Sequence, residues 1–155
     1  MLVAKHLPVS SLEAHLGYWL RFVSNHVSHA FGRKLAASGV TAAEWVILRK
    51  LFEQDAVAPS RLAARLGMTR GAISKLIDRL AAKSLVTRTS STDDRRYQAL
   101  ALTPEGRALV PKLSALADQN DNAFFGHLRP AERARLMEAM KEIVRRRGLK
   151  TIPVD

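Results

Sequence analysis

The 155 residues contain no cysteine. That absence excludes disulfides, thiolate metal sites, cysteine nucleophiles and thiol redox sensing, and it agrees with a reducing compartment. Acidic residues are also few: 14 Asp and Glu stand against 25 Lys and Arg, a formal net charge of +11. An excess of that size favours polyanionic partners, either nucleic acid or an anionic membrane surface. No apolar run approaches the roughly 20 residues of a membrane span. The first residues also lack the basic, apolar and cleavage segments of a secretory leader, so a cytoplasmic location is the expectation. There is no phosphate-binding loop and no nucleophile motif. The five histidines, His6, His15, His26, His29 and His127, form no compact ligand set. Neither an enzyme, a metal site nor a cofactor is expected.

What remains is an ordinary globular composition, 47% hydrophobic and 25% charged, in a chain long enough for one domain with a real core. From Leu12 to Leu35 apolar residues recur in steps of three and four, predicting one helix of about 25 residues that Gly39 closes. Thr41 and Glu44 have the spacing of a capping box, which opens a second helix with Trp45, Leu48, Leu51 and Phe52 on its buried face. Pro59 suits the first position of a third helix, which stops at Gly67. Thr69 caps a fourth, with Ile73, Leu76, Ile77 and Leu80 on one face. Gly71, Ser74, Lys75, Asp78 and Arg79 fall opposite that stripe.

Leu85 to Thr89 and Ala99 to Leu102 read as two strands joined by a polar tip from Ser90 to Arg96. Thr103-Pro104 starts a fifth helix, and Pro130 with Glu132 a sixth. The last helix ends in Arg145, Arg146 and Arg147 before Gly148, cations suited to the negative end of a helix dipole.

The order Ala63, Gly67, Ile73, Leu76 is that of a helix-turn-helix. It has a small residue at the crossing, glycine in the turn and branched apolar residues beneath the second helix. An ordinary helical hairpin would share some of these features, but charge separates the two. Between Pro59 and Arg96 there are nine basic and three acidic residues, over half the chain's excess in a quarter of its length. A face with Gly71 and Ser74 beside Lys75 and Arg79 can approach a major groove, then reach base edges and phosphates with its longer side chains. Asp78 is the exception, expected to pair with Lys75 or to orient Arg79.

Asp94-Arg95-Arg96, followed by Leu100, Leu102, Thr103 and Gly106, resembles the D-x-R…L-x-L-T…G signature of the MarR-type winged-helix regulators. The resemblance is specific from Thr41 to Gly106; the flanking helices agree in length and apolar pattern. It implies a homodimer with interlocked terminal helices and recognition helices in successive major grooves of a pseudo-palindromic operator. The wings would enter the adjacent minor grooves. It further implies that Arg96 is the wing-tip arginine and that Asp94 holds the wing's shape, although paired aspartates also simply form turns. Small aromatic acids are frequent effectors in such proteins, and Trp19, His26 and Trp45 are the candidates for contacting one; tryptophans at helical spacing are also ordinary core residues. Ser84 stands where the family usually has glycine, a departure costing roughly 1 kcal/mol if its φ is positive.

The expected architecture is therefore mainly α: a winged helix-turn-helix with a two-stranded β wing over 41–106. N- and C-terminal dimerisation helices flank it at 1–40 and 107–155. A dimer also follows from the helices themselves, whose apolar faces exceed what a winged helix can cover. The expected function is sequence-specific binding of double-stranded DNA as a transcriptional regulator, a repressor whose operator affinity a ligand modulates. The DNA-contacting candidates are Thr69, Arg70, Gly71, Ser74, Lys75, Arg79, Arg88, Arg95 and Arg96. The alternative is a winged-helix adaptor for protein partners without its own operator.

Overall fold

The computed structural model describes residues 8–90 and 98–150. Six α-helices and one hairpin follow in the order α1 (Leu16–Ala36), α2 (Ala42–Phe52), α3 (Pro59–Leu66), α4 (Arg70–Ala82), β1 (Val86–Ser90), β2 (Gln98–Leu102), α5 (Pro104–Phe125) and α6 (Pro130–Arg147). The first helix starts later than its periodicity predicts. Leu12–Ala14 form a single 3-10 turn, and His15 is extended before α1 begins. Two side chains hold this entry: the His15 Nδ1 donates to the Ser11 carbonyl, and the Trp19 indole N–H donates to the Glu13 carbonyl.

Local chemistry fixes most of the other boundaries. The Glu44 N–H donates to Thr41 Oγ1 and the Thr41 N–H to the Glu44 carboxylate, a complete capping box. Thr69 and Thr103 cap α4 and α5 through their hydroxyls, at 3.2 and 3.0 Å from the N–H groups of Ala72 and Gly106. Gly67 (φ +62°) and Gly148 (φ +59°) end α3 and α6 in the left-handed region, where the missing Cβ removes the usual penalty.

The core joins α1, α2, α3, α4, the hairpin and α5 through Leu35, Ile47, Leu48, Leu51, Leu62, Ile73, Ile77, Leu80, Leu100 and Leu113, with further buried residues around them. In α2 the buried stripe is rotated from the expected one: Glu44, Ile47, Leu48 and Leu51 are buried, whereas Trp45 and Phe52 sit half-buried at its margin. A buried carboxylate marks this face, and hydropathy alone hides it. The strands pair antiparallel from Val86 opposite Leu102 to Ser90 opposite Gln98. On the other edge of β2, Val57 and Leu100 exchange both backbone hydrogen bonds, so the connection after α2 adds a one-residue third strand.

Two helical faces have no such cover. Leu16, Trp19, Leu20, Phe22 and Val23 of α1 are exposed. No residue of α6 is buried, and its Leu136, Met137, Met140, Ile143 and Val144 are 42–46% exposed. An apolar stripe of this length left in water is unusual for a monomer. Where α1 does pack, Asn120 of α5 is buried against it. The Asn120 amide donates to the Val27 carbonyl and its oxygen accepts from Lys34, each at 3.1 Å. No helix among the described residues is long and apolar enough to cross a membrane.

Two predictions follow from these elements. Ser84 has φ +58°, the one non-glycine residue with positive φ among those described. Ser84→Gly should therefore stabilise the fold by about 1 kcal/mol, read as a shifted midpoint in urea; an unchanged or lower midpoint would refute the strain. Along α6, the Arg129 side chain and its backbone N–H hold the Glu132 carboxyl below the usual range, and Arg146 followed by Arg145 does the same for Glu142. A depressed carboxylate stabilises the folded state above its ordinary pKa and loses that contribution as pH falls through the folded value. Helicity by circular dichroism should thus decline below about pH 4, and less so in a Glu132→Gln/Glu142→Gln variant.

Candidate nucleic-acid interface

The α3–turn–α4 unit forms as its sequence predicts. At the end of α3 the Gly67 N–H donates to Ala64 and the Met68 N–H to Ala63, and the chain passes directly into the Thr69 cap. Of the α4 stripe, Ile73, Ile77 and Leu80 are buried and Leu76 is half-buried. Thr69, Arg70, Gly71, Ser74, Lys75, Asp78 and Arg79 are all exposed. Among the described residues no carboxylate lies within ion-pair distance of Arg70, Lys75 or Arg79.

Gly71 has a particular standing on this face. A Cβ built there meets nothing within 4 Å. Packing inside the protomer therefore does not require glycine, while its position in α4 costs up to about 1 kcal/mol of helix propensity relative to alanine. A small residue kept at that cost, on an exposed basic face, suits close approach by another molecule.

Two of the basic residues counted from the sequence are already engaged. Asp78 pairs with Arg88 of β1, not with Lys75 or Arg79 on its own helix. The hairpin runs back along α4 and brings a strand cation nearer than the helical neighbours. Arg88 thus joins the wing's first strand to the reading face. Lys83, one residue beyond α4, turns inward: its ammonium lies 2.7 Å from both the Glu44 carboxylate and the Gly39 carbonyl. Neither partnership has a sequence signal, because the paired residues are 10 and 39 positions apart. The wing-tip candidates Arg95 and Arg96, and Asp94 as the residue shaping the wing, lie outside the described residues.

The helix ends where the strand begins, and α5 seals the junction. The Leu85 N–H donates to the Leu80 carbonyl and the Ser84 N–H to Ala81, a Schellman arrangement with Leu80 and Leu85 buried together. Thr103 Oγ1 donates to the Ser84 carbonyl at 2.6 Å and the Thr103 N–H to Leu85 at 3.1 Å. A Cβ on Gly106 would lie 2.1 Å from the Leu85 carbonyl oxygen. Thr103 and Gly106, the end of the signature, therefore close on the residues that follow the recognition helix.

The effector candidates are not brought together within the protomer. Trp19 is exposed and packs against Tyr18 and Phe22, with His26 on the far side of Phe22. Trp45 lies edge-on to Phe31, twelve residues further along α1, or about 18 Å. A groove of about 210 Å³ lies between α1 and α5 and is lined by Val27, Ser28, Phe31, Ala117, Asn120 and Asp121. None of the three candidates lines it. Among the described residues no group of three or more His, Asp or Glu is placed to hold a metal ion.

Comparison with known proteins agrees with this geometry. Residues 40–97 match the MarR family. A putative transcriptional regulatory protein for the hcr operon of Thauera aromatica is 28% identical over 136 residues, covering 87% of this chain and 82% of that protein. The HTH-type transcriptional repressor YetL of Bacillus subtilis is 31% identical over 105 residues, covering 66% of this chain and 62% of YetL. Among solved structures, Bordetella bronchiseptica BpsR, whose DNA binding is regulated by 6-hydroxynicotinic acid, superposes with a TM-score of 0.77 at 28% identity. That match covers 88% of this chain and 97% of BpsR. With the helix-turn-helix, the hairpin wing and both flanking helical segments in place, the chain carries a MarR-family region over residues 40–97.

Proposed function

We propose that the protein is a homodimeric transcriptional regulator that binds a specific double-stranded operator through paired α4 helices, acting in the cytoplasm as a repressor. The observation that carries this reading is the outer face of α4. It is exposed, cationic at Arg70, Lys75 and Arg79, and small at Gly71 and Ser74; at Gly71 the fold itself does not ask for smallness. Short residues let the helix sit deep in a major groove, where Ser74 and Lys75 reach base edges. Thr69, Arg70 and Arg79 then hold the phosphates on either side. Arg88, steadied by Asp78, extends the cationic surface along β1, and Arg95 and Arg96, later in the sequence, are further candidates for contacting DNA.

Residues 41–106 are the reading unit in this proposal, and 1–40 with 107–155 join the two copies. The exposed apolar faces of α1 and α6 support that division, since a second chain is what buries such faces. Regulation by a small aromatic acid is proposed by analogy with BpsR and its ligand. The α1–α5 groove supports it, being of single-ring size and set between a joining helix and the helix that caps the reading unit. A ligand preferring one head spacing would lower operator affinity by its differential affinity for the two states.

Selection of bound DNA from a random pool tests the reading. The expected product is a pseudo-palindrome whose affinity falls roughly a thousandfold between about 50 and 200 mM salt, as released counterions require. Recovery of no preferred sequence at low salt would refute it. Gly71→Ala gives a sharper check. The thermal midpoint should hold or rise, because alanine meets no neighbour and favours the helix, whereas operator affinity should drop at least about tenfold, the cost of one poorly seated contact. Unchanged affinity would remove Gly71 from the interface.

A further inference from the structure

The sequence offers Lys83 as one more cation beside the DNA-reading helix. Its contacts say otherwise. The ammonium donates to the Glu44 carboxylate and to the Gly39 carbonyl, each at 2.7 Å. Glu44 is only 1% exposed, and among the described residues its other partners are the Thr41 N–H and, through its own backbone N–H, the Thr41 hydroxyl. A carboxylate so far from water requires a cation, and Lys83 is the one that reaches it. Gly39, with φ +70°, lies in the turn where α1 passes into α2. One ammonium therefore joins three places: the C-terminal end of the recognition helix, the N-cap of α2 and the corner at the end of α1.

We infer that Lys83 is a positioning residue. It sets the angle of α4 relative to α1, and so the distance between the two recognition helices, without itself touching DNA. The inference rests on the proposed function and assigns this residue a place in it.

Leverage makes the tie matter. Thirteen residues of α4 span about 20 Å, and Lys83 follows one end while Thr69 to Lys75 read at the other. A rotation of about 5° at the tie moves the reading end by about 1.7 Å over that length. Doubled across a dimer, that is enough to take hydrogen bonds at the base edges beyond their working range. The buried stripe of α4 holds the helix against the core, and the Lys83 contacts add a directed tie just beyond its end.

The absence of native cysteine provides the test. A nitroxide on Ser74→Cys, an exposed position in α4, reports the distance between recognition helices in the DNA-free dimer by double electron–electron resonance. The wild-type background should give one narrow distribution. Lys83→Met should broaden or shift it, and so should Glu44→Gln/Lys83→Met, which strands no buried charge and so guards against misfolding. Lys83→Arg should restore much of the wild-type distribution. Distributions for Lys83→Met and the double variant that superimpose on wild type would overturn the inference.

Operator titrations supply the second readout. Each variant should lose at least several-fold of the preference for the selected half-site spacing over one lengthened by a base pair, at an unchanged salt slope. A phosphate contact at Lys83 would instead lower the slope by about 0.9 per protomer with spacing preference intact, and that outcome would also overturn the assignment. Failure of the unsubstituted protein to select any DNA would count against the regulator reading alone, because the label distance is measured without DNA.

Discussion

The structure depends on how the recognition helix is allowed to end. A reading helix must present one face to DNA at a fixed angle while being held only from behind and from one end. Lys83, Ser84 and Leu85 do the holding. Lys83 is drawn to Glu44 and the Gly39 carbonyl, Ser84 turns left-handed and offers its carbonyl to Thr103, and Leu85 buries against the core beneath the first turn of α5. The three residues face three directions and join the end of α4 to both flanking helical segments. The serine at φ +58° accepts local strain in exchange for this turn.

Other features take their meaning from that junction. Gly106 is glycine because the α5 backbone passes too close to Leu85 for a Cβ. Thr103 caps α5 and hydrogen-bonds Ser84 with the same hydroxyl. The Asp78–Arg88 pair ties the reading face to the root of the wing, so helix and hairpin present one surface. Beyond the junction, α5 carries Asn120, whose buried amide bonds α1 through the Val27 carbonyl and Lys34. Directed hydrogen bonds, as well as apolar contact, thus connect α1 and α5 to each other and to the end of α4.

Much of this was legible in the sequence because much of it is local. The threonine caps at 41, 69 and 103, the first-turn prolines at 59 and 130, and the stops at Gly67 and Gly148 each act within four residues, and each lies where its spacing indicates. The outward face of α4 follows from 100° per residue, and the strain at Ser84 from its replacement of a glycine. What the spacing hid is non-local or charged. Glu44 reads as a cap residue and is one, but its burial also rotates the α2 face away from Trp45 and calls for a lysine 39 positions later. Helix periodicity points Asp78 to its neighbours on α4, because the return path of β1 toward Arg88 is not encoded in it. Trp19 and His26 both pack on Phe22, whereas Trp45 packs on Phe31, further along α1.

Paired α4 helices held at a fixed spacing should leave a specific imprint on DNA. Hydroxyl-radical footprinting of the protein on its selected operator measures that imprint most directly. The account predicts two symmetric protected windows on one face of the duplex, centred about one helical turn, or about 10 base pairs, apart. A single asymmetric window, or uniform protection without a two-fold pattern, would contradict it.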